Sequence, residues 1–170
     1  MEPTESDQQK SPRELITVYL QDHHAGASAG LALAQRIAGS SRAETVADEV
    51  RALEAEIAED KQSLERVIAE FGASTSRVKD LGAQAAERLG RLKRNGTWMT
   101  PSPSSLVLEL EGLIMGVTGK TGLWEALQVS IVTAPEGLDF AQLAERARDQ
   151  RSRIEALHRK ASRAAFAPTP

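Results

Sequence analysis

The stretch "GVTGKTGLWEAL", residues 116–127, contains Gly119-Lys120-Thr121, the triplet that ends a phosphate-binding loop. Such a loop has a glycine, four further residues and then Gly-Lys-Thr, so that backbone amides can wrap the phosphates. Here the position of the first glycine is held by Ile114. The preceding "LVLELEGLIM" carries on at helical spacing where a buried strand would be required. The triplet therefore reads as the middle of a helix, and nucleotide binding is not expected. Gly112, Gly116, Gly119 and Gly122 then share that helix, although each costs about 1 kcal/mol there relative to alanine. The steps between Gly116, Gly119 and Gly122 predict a surface where a neighbouring helix approaches closely.

Other chemistry is sparse. Serines gather where helices begin or loops run (Ser11, Ser40, Ser41, Ser102, Ser104, Ser105), and capping accounts for them. No histidine has an evident Ser and Asp partner in the sequence, although a triad assembled in space stays open. The mixed-sign runs "RALEAEIAEDK" and "ERARDQRSR" read as solvated helix faces with i,i+4 pairs. There is no cysteine, which excludes disulfides, thiolate metal sites and cysteine nucleophiles together and fits a reducing compartment.

The elements that must position any site are helical. Aromatic residues make up only 4% of 170 residues, so Ala, Leu, Val and Ile must build the core, which suits closely packed helices. "SPRE" at 11–14 forms a capping box with Pro12 at the first helical position, predicting a helix to about Ala38 and a stop at Gly39. "SRAE" at 41–44 repeats the box before a second helix that ends at Gly72. A shorter helix is expected over about 76–94, ending at Asn95-Gly96. "TPSPSS" leads into a fourth helix lasting to about Ser130. After "TAPEGL", Asp139 in "DFAQ" caps a fifth reaching about Ala165. Residues 1–10 and 166–170 read as flexible tails around one domain, 11–165. No strand is expected, because sustained apolar–polar alternation is missing.

Apolar residues recur at helical spacing on the four long segments, each about 40 Å long at 1.5 Å per residue. The stripes include Leu20 and Ile37, Leu53 and Leu64, Leu110 and Trp124, and Leu143 and Ile154. Matched lengths predict an all-α four-helix bundle with the short helix in the connection between two hairpins. With "YLQDHHAGASAGLALAQRIA" and "GLIMGVTGKTGLWEAL", this arrangement resembles the ferritin-like superfamily, and in particular its uncharacterised bacterial helical bundles, over residues 11–165. The resemblance implies two antiparallel helix pairs joined by a long crossover that serves as an additional helix.

It also raises a carboxylate-bridged di-iron centre, built from one Glu on each of two helices and Glu-x-x-His on each of the other two. The chain has only His23, His24 and His158, and one such motif, Glu155-x-x-His158, near the end of the last helix among arginines. The ligand set is incomplete, so neither metal nor other cofactor is expected. If a metal does bind, Asp22, His23, Glu56, Glu59 and Asp60 are the first candidates.

What stands out is a set of polar residues on the apolar stripes: His23, Asp60, Lys120 and Gln150. Asp60 and Lys120 each fall about one turn past the middle of their helices, while His23 and Gln150 fall a little before theirs. With the crossover that the resemblance implies, the second and fourth helices run parallel and all four residues share one layer. A register one residue off would instead let them snorkel outward.

The function expected is that of a non-enzymatic, cytoplasmic bundle, structural or stress-associated, with this polar layer in place of a di-iron centre. A degenerate metal-binding or oxidoreductase bundle and a small-ligand carrier are the alternatives, and a large internal pocket would favour the carrier. The net charge of −3 gives no reason to expect nucleic acid. No segment is apolar enough for a membrane span, no export signal is expected at the acidic start, and homo-oligomers through helix faces are possible partners.

Overall fold

A computed structural model describes residues 10–40, 46–72 and 103–167. Among these residues the regular structure is all helical: α1 (Pro12–Ala38), α2 (Ala47–Phe71), α3 (Pro103–Gln128) and α4 (Phe140–Phe166). The helix expected over 76–94 lies outside the described residues, as do the Ser41 capping box and all but the last residue of the N-terminal tail.

Local chemistry sets most of the helix ends. The Ser11 hydroxyl accepts from the Glu14 amide, and the Glu14 carboxylate accepts from the Ser11 amide at 2.8 Å, which closes the capping box of α1. Asp139 accepts from the Ala141 and Gln142 amides and starts α4. The described part of α2 begins at Ala47 after Val46, without a side-chain cap, and Val46, Ala47 and Val50 all enter the core. Gly72 ends α2 in the left-handed conformation, φ +74°, which lets its amide reach back to the Ile68 and Ala69 carbonyls.

Helix directions follow from cross-helix contacts. The Arg13 guanidinium at the start of α1 donates to the Phe71 carbonyl at the end of α2 and lies 4.4 Å from the Phe71 ring centroid. His24 meets Glu65, so α1 and α2 are antiparallel. Arg36 near the end of α1 pairs with Glu109 near the start of α3, and Leu33 sits on Gly112. Those contacts make α1 and α3 antiparallel too. His158–Glu111 and Arg148–Glu125 do the same for α4 and α3. It follows that α2 and α3 run parallel. One contiguous core joins all four helices, including Leu20, Leu53, Leu110, Trp124 and Ile154.

Candidate functional site

The core has a charged interior, and the parallel run of α2 and α3 creates it. Asp60 on α2 is 2% exposed, yet it carries a carboxylate. A lone buried charge of this kind is costly, so its partners decide whether the fold tolerates it. Lys120 Nζ of α3 donates to Asp60 Oδ2, and Arg146 Nη2 of α4 donates to Oδ1. Gln150 of α4, fully buried, donates from Nε2 to Asp60 Oδ2 at 3.0 Å and accepts from Lys120 Nζ at 2.5 Å. The same Gln150 amide reaches Glu56 at 3.1 Å, and Arg153 closes that side by donating to Glu56 at 2.7 Å. Three helices thus converge on one carboxylate. Burial lowers the pKa of Lys120, the charge and hydrogen bond of Asp60 oppose that, and Arg146 adds to the lowering.

Of the four residues placed in one layer from sequence, Asp60, Lys120 and Gln150 are hydrogen-bonded together. His23 has no part in that cluster. It lies half-buried on α1 with its ring edge-on to Tyr19, centroids 4.5 Å apart. The buried histidine is its neighbour His24, whose Nε2 is 3.0 Å from Glu65 Oε1 beside Lys61. One residue is about 100° of helix rotation, enough to exchange the two faces. Arg146 and Glu56 complete the cluster, although both fall in mixed-sign runs that read as solvated faces and Glu56 stands among the metal candidates. The available signal was spacing, since Arg146 lies one turn before Gln150 and both belong to the same edge of α4.

Gly119, Lys120 and Thr121 lie inside α3, where the Thr121 hydroxyl donates to the Val117 carbonyl at 3.0 Å. Glu155 and His158 go to different partners, Arg151 and Glu111. Glu59, exposed, pairs with Arg146, and Asp22 is exposed on α1. Among the described residues no three His, Asp or Glu side chains converge as a metal site.

The glycines are a second correction. No atom outside their own helix lies within 4 Å of a Cβ built at Gly116, Gly119 or Gly122. The close approach occurs one turn earlier, at Gly112, where a Cβ would meet Leu33 Cδ2 at 3.0 Å. Beyond that contact, Gly26 and Gly30 of α1 and Gly116 and Gly119 of α3 leave space in place of side chains. The result is a cleft of about 360 Å³ between α1, α2 and α3. Ile57, Leu64, Leu113, Val117, Leu123 and Trp124 form most of its apolar wall, with Asp60 and Lys120 as a polar patch and Asp22, His23 and Lys61 also in the lining. Gly116→Ala and Gly119→Ala are therefore expected to raise stability by about 0.5–1 kcal/mol each. Gly112→Ala should gain less, because Leu33 must move. Thermal unfolding of the three variants checks the order, and equal effects at all three sites would contradict an open cleft.

His23 gives the cleft a pH dependence. Burial holds its pKa below the ordinary 6.5, with Asp22 opposing. Just below pH 6.5 the unfolded chain therefore binds more protons than the folded one, so stability falls as pH drops through that window. Between about pH 7 and pH 5 the wild type should lose more stability than His23→Gln. Denaturant midpoints at both values test this, and parallel losses would count against it.

No protein-family model, curated protein or solved structure matches this chain. Among the described residues no helix is long and apolar enough to cross a membrane.

Proposed function

We propose that this chain is a non-enzymatic small-ligand carrier of the cytoplasm, built on a ferritin-like bundle in which an ion-pair cluster stands where a di-iron centre would be. The observation that carries the reading is the cleft. Its volume of about 360 Å³ lies within the roughly 300–1,000 Å³ common for small-molecule sites. Its walls are mostly apolar, with a few charged groups at one place, the usual composition of such sites. The cluster around Asp60 supports a structural role for the charges, because its partners come from two further helices, Lys120 from α3 and Arg146 and Gln150 from α4, and the arrangement holds only at one register. The direction of the helices, with α2 and α3 parallel and α1 and α4 antiparallel to them, supports the ferritin-like part.

A thermal-shift screen of the purified protein against small apolar compounds tests the carrier reading. A ligand at a hundred times its Kd adds about 2.7 kcal/mol, a readable rise in Tm. Gly116→Leu, which puts a side chain into the cleft, should remove the response to every compound that binds. A screen without responses, or responses that survive Gly116→Leu, would overturn the reading.

A further inference from the structure

Within the cleft, one group is equipped to choose what enters. An ammonium has three N–H donors, and Lys120 uses two of them, on Asp60 Oδ2 and Gln150 Oε1. Its side chain is 14% exposed, and Lys120 lines the cleft. The third donor therefore has no acceptor among the described residues and adjoins the apolar space. Charge points the same way. The buried carboxylate of Asp60 faces two cations, Lys120 and Arg146. Glu59, on the other arm of Arg146, is 66% exposed and well screened, while Glu56 is matched by Arg153. The cluster is balanced as a whole, and of its cations Lys120 is the one that lines the cleft. Asp22 at the cleft is exposed, next to His23, and Lys61 is engaged by Glu65.

We propose that the cleft binds an apolar monocarboxylate, with its hydrocarbon body against Leu64, Leu113, Val117 and Trp124 and its carboxylate accepting from Lys120 Nζ. The inference rests on the carrier reading and adds the head group to it. A carboxylate supplies the missing acceptor in a charge-assisted bond, whereas an amine would meet Lys120 with like charge, and an alcohol would satisfy the donor without the charge.

Calorimetric titration of the full chain with decanoate, decanol and decylamine tests this, because the three share a body and differ at the head. Decanoate should bind the wild type about tenfold or more tighter than decanol, with decylamine weakest. Lys120→Met should abolish the preference of acid over alcohol, and Lys120→Gln serves as a second variant that keeps a donor without the charge. Equal binding of the three compounds to the wild type, lost in Gly116→Leu, would overturn the head-group assignment and leave the carrier reading intact. Binding of decanoate that persists in Gly116→Leu would place it elsewhere and refute both. No binding of decanoate would overturn the proposal outright.

Discussion

Asp60→Ala is expected to destabilise the protein by about 3–5 kcal/mol at neutral pH, the cost of breaking a buried ion pair from one side. The loss falls mainly on Lys120. Arg146 is a third exposed and can turn to Glu59, and Gln150 keeps Glu56. Lys120 keeps only one acceptor, Gln150 Oε1, and would sit as a charge in an apolar surround. Its alternative is to lose its proton, which costs about 1.36 kcal/mol for every unit between neutral pH and its ordinary pKa near 10.5, or roughly 5 kcal/mol in all. That limit agrees with the upper end of the range. Lys120→Met should cost less, about 1–3 kcal/mol, because Asp60 retains Arg146 and Gln150. The double variant Asp60→Leu/Lys120→Met removes the stranded charge and should recover much of the loss.

The pH sign follows from the same residue. Lys120 has a folded pKa below its unfolded value, so on the alkaline side the unfolded chain binds more protons and stability rises with pH through the window beneath 10.5. Without Asp60 only the charge of Glu56 still opposes the effect of burial, and the window widens toward neutral pH. Asp60→Ala should therefore lose less stability, relative to wild type, at alkaline than at neutral pH. Urea midpoints of the four proteins at two pH values measure all of this. A deficit that is unchanged by pH and by removal of Lys120 would show that the cost of Asp60→Ala arises elsewhere.

The contacts of Asp60 and Lys120 could be reached from sequence because they depend on two coarse quantities. One is the apolar stripe that each residue interrupts, and the other is height along helices of known rise. Errors of one or two residues at helix ends barely change that height. The part played by Arg146 was out of reach, because a long side chain can carry its charge inward from a position that counts as surface. His23 and His24 show the opposite sensitivity. Adjacent residues on α1 differ by about 100°, so a stripe drawn from Leu20 and Ala27 leaves either one near its edge. The glycines failed for a different reason. A missing side chain permits close contact and a cleft equally well, and only the distance between α1 and α3 decides. That distance is set by Leu33 against Gly112, a contact between distant parts of the chain with no trace in local spacing.

Trp124→Ala should cost about 3–5 kcal/mol. The indole is 1% exposed and is stacked on Phe140, ring centroids 6.0 Å apart and planes 18° from parallel. It joins the turn-proximal core of α3 and α4 to the wall of the cleft, so its removal joins a new void to existing space. Collapse of the neighbours cannot fill that void cheaply, because Gly116 and Gly119 in the same cleft lining offer no side chains. Trp124→Phe separates volume from polarity. The Trp124 Nε1 is buried with no acceptor among the described residues, and such a group carries a desolvation penalty of about 1–3 kcal/mol. Phenylalanine keeps a ring against Phe140 and sheds that donor, so its smaller volume is partly offset and the net loss should be about 1–2 kcal/mol. The two variants should also differ at the cleft. Alanine enlarges it and should shift its preference toward bulkier apolar compounds, while phenylalanine keeps the wall nearly in place. Denaturant unfolding gives the stabilities, and thermal shifts with compounds of graded size give the cleft. A Trp124→Phe loss as large as that of Trp124→Ala would mean that the indole nitrogen has an acceptor, and that the wall is held by polarity as well as packing.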